Sequence, residues 1–371
     1  MIPALALFGL WCLGFLFLFR IPACRAADPG RPLPSFAIIV PARNEERNLP
    51  VLLGSIARQD AAPAEVIVVD DGSTDQTARV AAEHKARVLA PEPAPPGWRG
   101  KNWACYQGAR AASAELLIFA DADTRFEDGG LRRILNAYLD GEGVLSIGAY
   151  HRVERPYEEL SAFFNLIMTA STGAFTVFGE KRRPNGLFGP FLMLDRNTYF
   201  SMGGHERVRD KILENFHLGA VFRGGGVRTR CLGGRGAFTM RMYPDGLESL
   251  VAGWSKAFAD GAAQTPPLLL LLITAWLSGG MASALMLVWA LFHTHAPAFA
   301  PAMLTYLLFA AQIHWMLRRI GSFRAATAWL YPIPMVFYFC VFTRSALLSA
   351  LGRPVSWKGR RTGAAPPEEG G

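Results

Sequence analysis

The chain has 371 residues, 51% of them hydrophobic, with a formal net charge of +8 and a mean hydropathy of +0.19. That hydrophobic share is high for a purely soluble protein, and the basic balance suits anionic lipid headgroups and phosphorylated substrates. Nucleic-acid binding is disfavoured, because no aromatic-basic stripe accompanies the charge, and five scattered cysteines without a C-x-x-C argue against disulfides or zinc.

The apolar residues concentrate at the ends. Residues 1–19 carry no charge, and the first bases, Arg20 and Arg25, come after the run rather than before it. A cleaved signal peptide has the opposite order. The arrangement fits an anchor whose following domain is cytoplasmic. After a Pro-rich linker at 28–34, short β-branched runs alternate with helical patterns. "FAIIVP" (36–41), "EVIVVD" (65–70) and "ELLIFAD" (115–121) read as strands, with helices predicted over 48–59 and 102–112. Strand and helix in alternation predict an open, mostly parallel α/β sheet with helices on both faces. Ligands of such folds bind beyond the carboxyl ends of the strands.

All three predicted strands end in polar clusters: "PARNEE" (41–46), "DDGSTD" (70–75) and "DAD" (121–123). Each alone reads as a turn or solvated loop; together they converge on one edge. Asp121 and Asp123, one residue apart, suit a hard divalent cation, Mg²⁺ or Mn²⁺, that completes its shell from a substrate diphosphate and water. No Walker-type glycine loop is present, which disfavours ATP hydrolysis and kinase chemistry.

Taken as a set, "VPARNEE", "VIVVDDGSTDQTA" and "LLIFADAD" resemble the family 2 glycosyltransferases, whose fold is termed GT-A. The resemblance implies a nucleotide-diphospho-sugar donor. It places Pro41, Glu45 and Asp70 or Asp71 at the nucleoside, Lys101 at the diphosphate, and Asp121 with Asp123 at the metal. A narrower resemblance rests on "PPGWRGKNWACYQGA" (95–109), "FGPFLMLDRNTYFSMGGHERVRDKILENFHLG" (188–219) and "RMYPDGLESLVAGWSKAFADGA" (241–262). It is to the diaponeurosporenoate glycosyltransferases of carotenoid biosynthesis, and it implies transfer of glucose from UDP-glucose to a carotenoid carboxylate. The fold class expected is therefore α/β, a GT-A domain with N- and C-terminal transmembrane helices.

The second half should form the acceptor side. The segment 159–179 is apolar but punctuated by Ser161, Asn165, Thr169, Ser171 and Thr172; it is read as a core helix or, slightly preferred, an interfacial helix meeting lipid. His205, Trp254 and Lys256 are candidate acceptor contacts. For His205 a satisfied histidine beside a glycine turn is at least as good a reading. For Trp254, acceptor contact and interfacial anchoring weigh equally. The processive members' Q-x-x-R-W motif is absent around Trp254, which argues against polymer synthesis.

The family inverts the anomeric centre, and in much of it the base is the aspartate of an E-D pair. Here the pair reads Glu214-Asn215. Three readings stay open. Glu214 serves as base; both are helix-start residues, with Glu214 favoured by the helix dipole; or the acceptor is an acid, ionised at neutral pH, that needs no base. In the last case Asn215 would donate a hydrogen bond to the acceptor.

Charge-free runs at 268–292, 296–317 and 325–343 predict C-terminal spans. Three full crossings would leave Arg318 and Arg319 inside but Arg344, Arg353, Lys358, Arg360 and Arg361 outside, against the positive-inside tendency. Either one segment is re-entrant, broken at Pro332 and Pro334, or a further interfacial helix exists. The expected organisation is an anchor (1–20), a cytoplasmic catalytic domain (35–262), a membrane domain of two to three spans (267–351) and a basic Pro/Gly-rich tail (352–371), in a multi-pass plasma-membrane protein. Alternatives are a glycosyltransferase for another lipid (hopanoid, polyprenyl phosphate or diacylglycerol) and an inactive, membrane-anchored nucleotide-sugar-binding protein.

Overall fold

The computed structural model describes residues 2–350 except 25, 27, 91, 179–182 and 294–295, together with Val355–Trp357 and Arg360–Thr362; the side chains of 2–4, 256–263, 296–298, 349–350 and those last two segments lie outside the description. Arg25, Arg353 and Lys358 are therefore outside it, as is the side chain of Lys256.

After helix α1 (Ile2–Phe17), the chain alternates β1 (Phe36–Ala42), α2 (Leu49–Ala57), β2 (Glu65–Asp70), α3 (Thr77–Glu83), β3 (Arg87–Leu89), α4 (Gly100–Ala111) and β4 (Leu116–Ala120). Then come β5 (Thr124–Phe126), α5 (Gly130–Leu139), β6 (Val144–Gly148), β7 (Tyr150–His151), α6 (Ala162–Ser171), β8 (Phe191–Asp195), α7 (Arg196–Ser201), α8 (Glu214–Gly224), β9 (Thr229–Gly233), β10 (Phe238–Met240) and α9 (Leu247–Gln264). The main sheet has seven strands in the order β3-β2-β1-β4-β8-β6-β9, and only β8 runs antiparallel to its neighbours. A small sheet, β5-β10-β7, lies beside it.

Both faces of the main sheet are covered, as the continuous apolar runs require. Alternate residues feed two cores: Ile39, Val69, Leu117 and Phe119 one, Ile38, Val40, Val68 and Ile118 the other. Gly108 lets α4 lie directly on the sheet, because a Cβ there would stand 2.5 Å from Ile39 Cγ2. That close approach brings the first turn of α4, with Lys101, to the carboxyl edge of β1, β2 and β4. Register aligns Ala42 with Asp70 across that edge.

The C-terminal part holds α10 (Pro267–Phe292), α11 (Ala296–Ile320), α12 (Ala325–Trp329) and α13 (Pro332–Ala350), followed by the short pair β11 (Val355–Trp357) and β12 (Arg360–Thr362). Pro267–Phe292 and Phe299–Ile320 are long and apolar enough to cross a membrane; Leu5–Phe17 and Pro332–Leu348 are shorter apolar helices. A polar knot ties three of them. Trp11 Nε1 donates to the Leu308 carbonyl (2.9 Å), Gln312 Nε2 to the Trp11 carbonyl (2.9 Å) and Trp276 Nε1 to Gln312 Oε1 (2.8 Å). Leu271, Leu285, Phe292, Leu304 and Ile333 are left exposed on the outside.

The run 325–343 is not one span. α12 and α13 form a hairpin that turns at Leu330 and Tyr331. Arg324 and Thr327 bond Glu159 of the α/β domain. Trp329 then accepts from Tyr306 Oη (2.6 Å), and Tyr331 Oη donates to the Gly280 carbonyl (2.8 Å). Gly280 lies about 20 Å along α10 from its start at 1.5 Å per residue. α13 comes back: Tyr338 packs on Phe164 (5.1 Å), and Ser345 Oγ donates to the Ser255 carbonyl (2.7 Å). Within the segment 159–179, α6 favours the core-helix reading, while Val177 and Phe178 beyond it are exposed and residue 179 lies outside the described residues. Within α6, Phe163, Phe164 and Leu166 are buried between the α/β domain and the apolar helices, because both sides offer apolar cover.

Candidate active site

The site is assembled at the carboxyl edge of the sheet. Asn44, in "PARNEE", adopts a positive φ of 52° and locks that loop to the next one. Its backbone N–H donates to Ser73 Oγ (2.9 Å), and its Oδ1 accepts from the Thr74 N–H (2.8 Å). Asp70 accepts from the Ser73 N–H (3.0 Å) and hydroxyl, so its carboxylate caps the "DGSTD" turn. Arg43 donates to the Asp71 carbonyl (2.7 Å), and the Asp71 N–H to the Ala42 carbonyl (2.8 Å). Glu45 accepts from Asn48 Nδ2 (2.7 Å), and its own N–H donates to Thr77 Oγ1 (2.8 Å). Pro41 is the penultimate residue of β1, opposite Val69. Pro41, Glu45, Asp70 and Asp71 thus share one corner.

Lys101 is the hub of the opposite side. Its ammonium lies 2.8 Å from Asp121 Oδ1 and 2.7 Å from Glu214 Oε1. Burial works against its charge, but the Asp121 and Glu214 carboxylates outweigh that and hold Lys101 well above its ordinary pKa. Glu214 begins α8 and its side chain is 6% exposed. Asn215 beside it is also buried, and both amide hydrogens are spent on the backbone: Nδ2 donates to the Phe188 (3.2 Å) and Gly189 (2.7 Å) carbonyls. The expected hydrogen bond from Asn215 to an acceptor therefore has no donor left in this geometry. Asn215 instead fixes the "FGPF" loop, and its buried Oδ1 has no hydrogen-bond partner among the described residues.

A model of the family described as "Glycosyl transferase family 2" matches residues 37–189. The 4,4'-diaponeurosporenoate glycosyltransferases of Staphylococcus aureus strains bovine RF122 / ET3-1 and USA300 are each 35% identical over 331 residues, 88% of this chain and 88% of theirs. The chain belongs to glycosyl transferase family 2. Among solved structures it is similar to a mannosyltransferase from Pyrobaculum calidifontis in complex with GDP-Man and Mn²⁺ (20% identity, 84% of this chain and 93% of that one, TM-score 0.49). It is also similar to glucosyl-3-phosphoglycerate synthase from Mycobacterium tuberculosis with Mg²⁺ and uridine-diphosphate (21% identity, 62% and 79%, TM-score 0.42).

In this glycosyltransferase Asp121 and Asp123 flank Ala122 just beyond β4. Among the described residues no group of three or more His, Cys, Asp or Glu gathers to cage a metal. Two hard carboxylates at an open edge fit Mg²⁺ or Mn²⁺ shared with a diphosphate, and do not fit a closed structural site. Tyr243 stands close to Asp123: burial, then that negative charge, push its phenol far above the ordinary value.

Of the three acceptor candidates, His205 and Trp254 are both packed into the core. His205 is 1% exposed, its Nδ1 bonded to Tyr199 Oη (2.9 Å) and its ring packed on Phe119 (4.9 Å). Burial, helped by the nearby Lys101 charge, pushes it down to about 3, so it is a neutral core histidine behind the site. Trp254 is 2% exposed, stacked on Phe164 (4.8 Å) and donating to Ser161 Oγ (3.1 Å), which excludes interfacial anchoring. Lys256 lies on α9, its side chain outside the description.

Sequence reasoning passed over Asn102 and Tyr243. Asn102 is buried, and its amide donates to the Val208 (2.7 Å), Arg209 (3.1 Å) and Lys211 (3.0 Å) carbonyls, pinning the turn that leads into Glu214. Arg99 braces the same turn through the Arg209 and Asp210 carbonyls. The only available signal was adjacency to Lys101. Tyr243 has a positive φ of 55° immediately before Pro244, and a Cβ on Gly253 would strike its ring at 2.0 Å. Gly253 thus seats α9 directly on it.

Proposed function

We propose that this glycosyltransferase moves a hexose, glucose from UDP-glucose, onto the carboxylate of a long apolar acid drawn from the membrane, a carotenoid acid of the 4,4'-diaponeurosporenoate type. The observation that carries the reading is the state of the Glu214-Asn215 pair. Asn215 cannot take a proton and is tied to the Phe188–Gly189 loop, while Glu214 is held by Lys101. Neither is set up as a free base. An alcohol acceptor needs such a base, worth roughly 10²–10⁴-fold. A carboxylic acid, with an ordinary pKa of roughly 4–4.5, arrives ionised. Its 35%-identical relatives, the 4,4'-diaponeurosporenoate glycosyltransferases, support the same acceptor class.

In this mechanism a carboxylate oxygen of the acceptor forms a bond to C1 of the sugar as the bond from C1 to the diphosphate oxygen breaks, with inversion and with no proton to move. Asp121 and Asp123 would hold a divalent cation, and that ion would supply positive charge to offset the charge building on the leaving diphosphate. Lys101 adds a second positive charge at the same oxygens. Pro41, Glu45, Asp70 and Asp71 line the nucleoside corner. The Arg318, Arg319, Arg324 and Arg344 bases all lie where the apolar helices meet the catalytic domain, so that domain faces the cytoplasm under the positive-inside tendency. His205 and Trp254 support the site from the core rather than touching the acceptor.

The test compares a purified enzyme's rates on a carotenoid acid and on the matching alcohol, with Asn215→Asp alongside wild type. The expected result is ester formation from the acid, little from the alcohol, and lower activity on the acid for Asn215→Asp. Preference for the alcohol, or a gain on the acid in Asn215→Asp, would overturn the acceptor assignment. Transfer to a polyprenyl phosphate in place of either would reassign the acceptor to another anion.

A further inference from the structure

Lys101 Nζ lies 2.8 Å from Asp121 Oδ1 and 3.1 Å from Asp121 Oδ2, and its third partner is Glu214 at 2.7 Å. Both oxygens of Asp121 are thus turned toward one ammonium. A divalent cation bound by Asp121 and Asp123 requires lone pairs of those same oxygens. It would also sit against a fixed unit positive charge at near-contact distance, where repulsion is poorly screened. The two cations compete for one carboxylate.

The two anchors of Lys101 are not equivalent. Glu214 is 6% exposed and Asp121 is 26% exposed, so the ammonium is held deep on one side and more openly on the other. Its four-carbon stem rises from the first turn of α4 and is itself 38% exposed. Rotation about that stem would leave Glu214 paired while turning the ammonium from Asp121 toward the open edge.

We propose that Lys101 is a resident counter-cation that occupies Asp121 until the donor arrives, so that loading of the divalent cation depends on the nucleotide diphosphate. The inference rests on the reading of Asp121 and Asp123 as the cation's ligands. A diphosphate supplies oxygens that accept the Lys101 ammonium and oxygens that complete the cation's shell, and Asp121 is released in the same event. By linkage the dependence is reciprocal: the cation strengthens diphosphate binding by the same factor. The arrangement offsets one of the negative charges gathered at this edge in the resting enzyme.

The experiment is Mn²⁺ binding to the full-length protein in detergent, followed by the electron paramagnetic resonance signal of free Mn²⁺, with and without UDP. Wild type, Lys101→Gln and Lys101→Arg are compared. Lys101→Gln is expected to bind Mn²⁺ about tenfold or more tightly than wild type without UDP, and to lose about tenfold of the enhancement that UDP confers. Lys101→Arg keeps the charge and stays as weak as wild type. Because Lys101→Gln leaves Glu214 without its cation, the double variant Lys101→Gln/Glu214→Gln is measured too and should show the same tightening. Mn²⁺ affinity without UDP that is unchanged or weaker in both variants overturns the proposal. Failure of the underlying reading looks different: Asp123→Ala would then leave Mn²⁺ binding in the presence of UDP unaltered.

Discussion

Asn102 is 1% exposed, yet its amide holds three carbonyls of the turn 208–211 and so sets where Glu214 meets Lys101. Asn102→Ala leaves those carbonyls with one partner fewer, at a cost of about 1–3 kcal/mol. The expected outcome is a lower thermal midpoint and a drop in kcat with the donor KM nearly unchanged. Asn102→Asp should fare no better, since a carboxylate repels carbonyl oxygens. Equal losses in kcat and donor affinity would count against a positioning role. Glu214 gives a complementary measurement. If the acceptor arrives ionised, Glu214→Gln should lose less than about 100-fold on a carotenoid acid, because no general base is removed. A loss near 10⁴-fold, with the acidic limb of the pH–rate profile abolished, would make Glu214 the base. Lys101, Asp121 and Glu214 were each visible in the sequence as chemical types. Their mutual contact was not, because no local pattern reports that α4 and α8 meet at β4.

At the scale of elements, the hairpin of α12 and α13 decides how the C-terminus is arranged. It returns to Ser255 after reaching Gly280, which places Arg344 on the same side as Arg318 and Arg319. With α10 and α11 taken as spans, this course would correspond to the re-entrant option and would remove the conflict with the positive-inside tendency. Irregular backbone at that depth is tolerated where protein covers it. Tyr331, at the turn, is 0% exposed and bonded to Ser283 and Gly280. In a protein with Cys12 and Cys340 replaced by serine, Arg318→Cys and Thr343→Cys should react with an impermeant maleimide from the same side of a sealed vesicle. His293→Cys should react only from the other. Labelling of Thr343→Cys together with His293→Cys would mean that α13 crosses. The Pro332/Pro334 pair marked the break in the sequence; the direction taken after it depends on contacts with α9 and α6.

At the scale of the molecule, two buried histidines tie stability to pH. Burial pushes His151 down to about 4 and His205 to about 3. In the unfolded chain both titrate at the ordinary value near 6.5. Below about pH 6.5 the unfolded state therefore binds more protons, and stability falls as pH drops toward 4. Above pH 6.5 both are neutral in either state and their contribution is constant. Thermal unfolding in detergent should show a midpoint at pH 5 below that at pH 7.5. His205→Gln should flatten that dependence while lowering the midpoint at pH 7.5, because the ring also packs on Phe119 and bonds Tyr199. An unchanged slope would show that His205 is protonated without penalty in the fold.

The sequence by itself determined three strands, β1, β2 and β4, and where they end, since a β-branched run buried on both faces and the polar residues that stop it are properties of neighbours in the chain. "PARNEE", "DDGSTD" and "DAD" needed only the rule that parallel strands gather their carboxyl ends. The apolar runs likewise carried their own signature. What the tertiary structure decided is which atoms spend their hydrogen bonds on one another. His205 and Trp254 have side chains suited to a ligand, but packing turned them into core. Asn215 has an amide that an acceptor would welcome, and the Phe188–Gly189 loop takes both of its hydrogens. In a dry interior every donor must be satisfied by whatever segment folds against it, and that partner is set by the whole chain, not by the residues beside it.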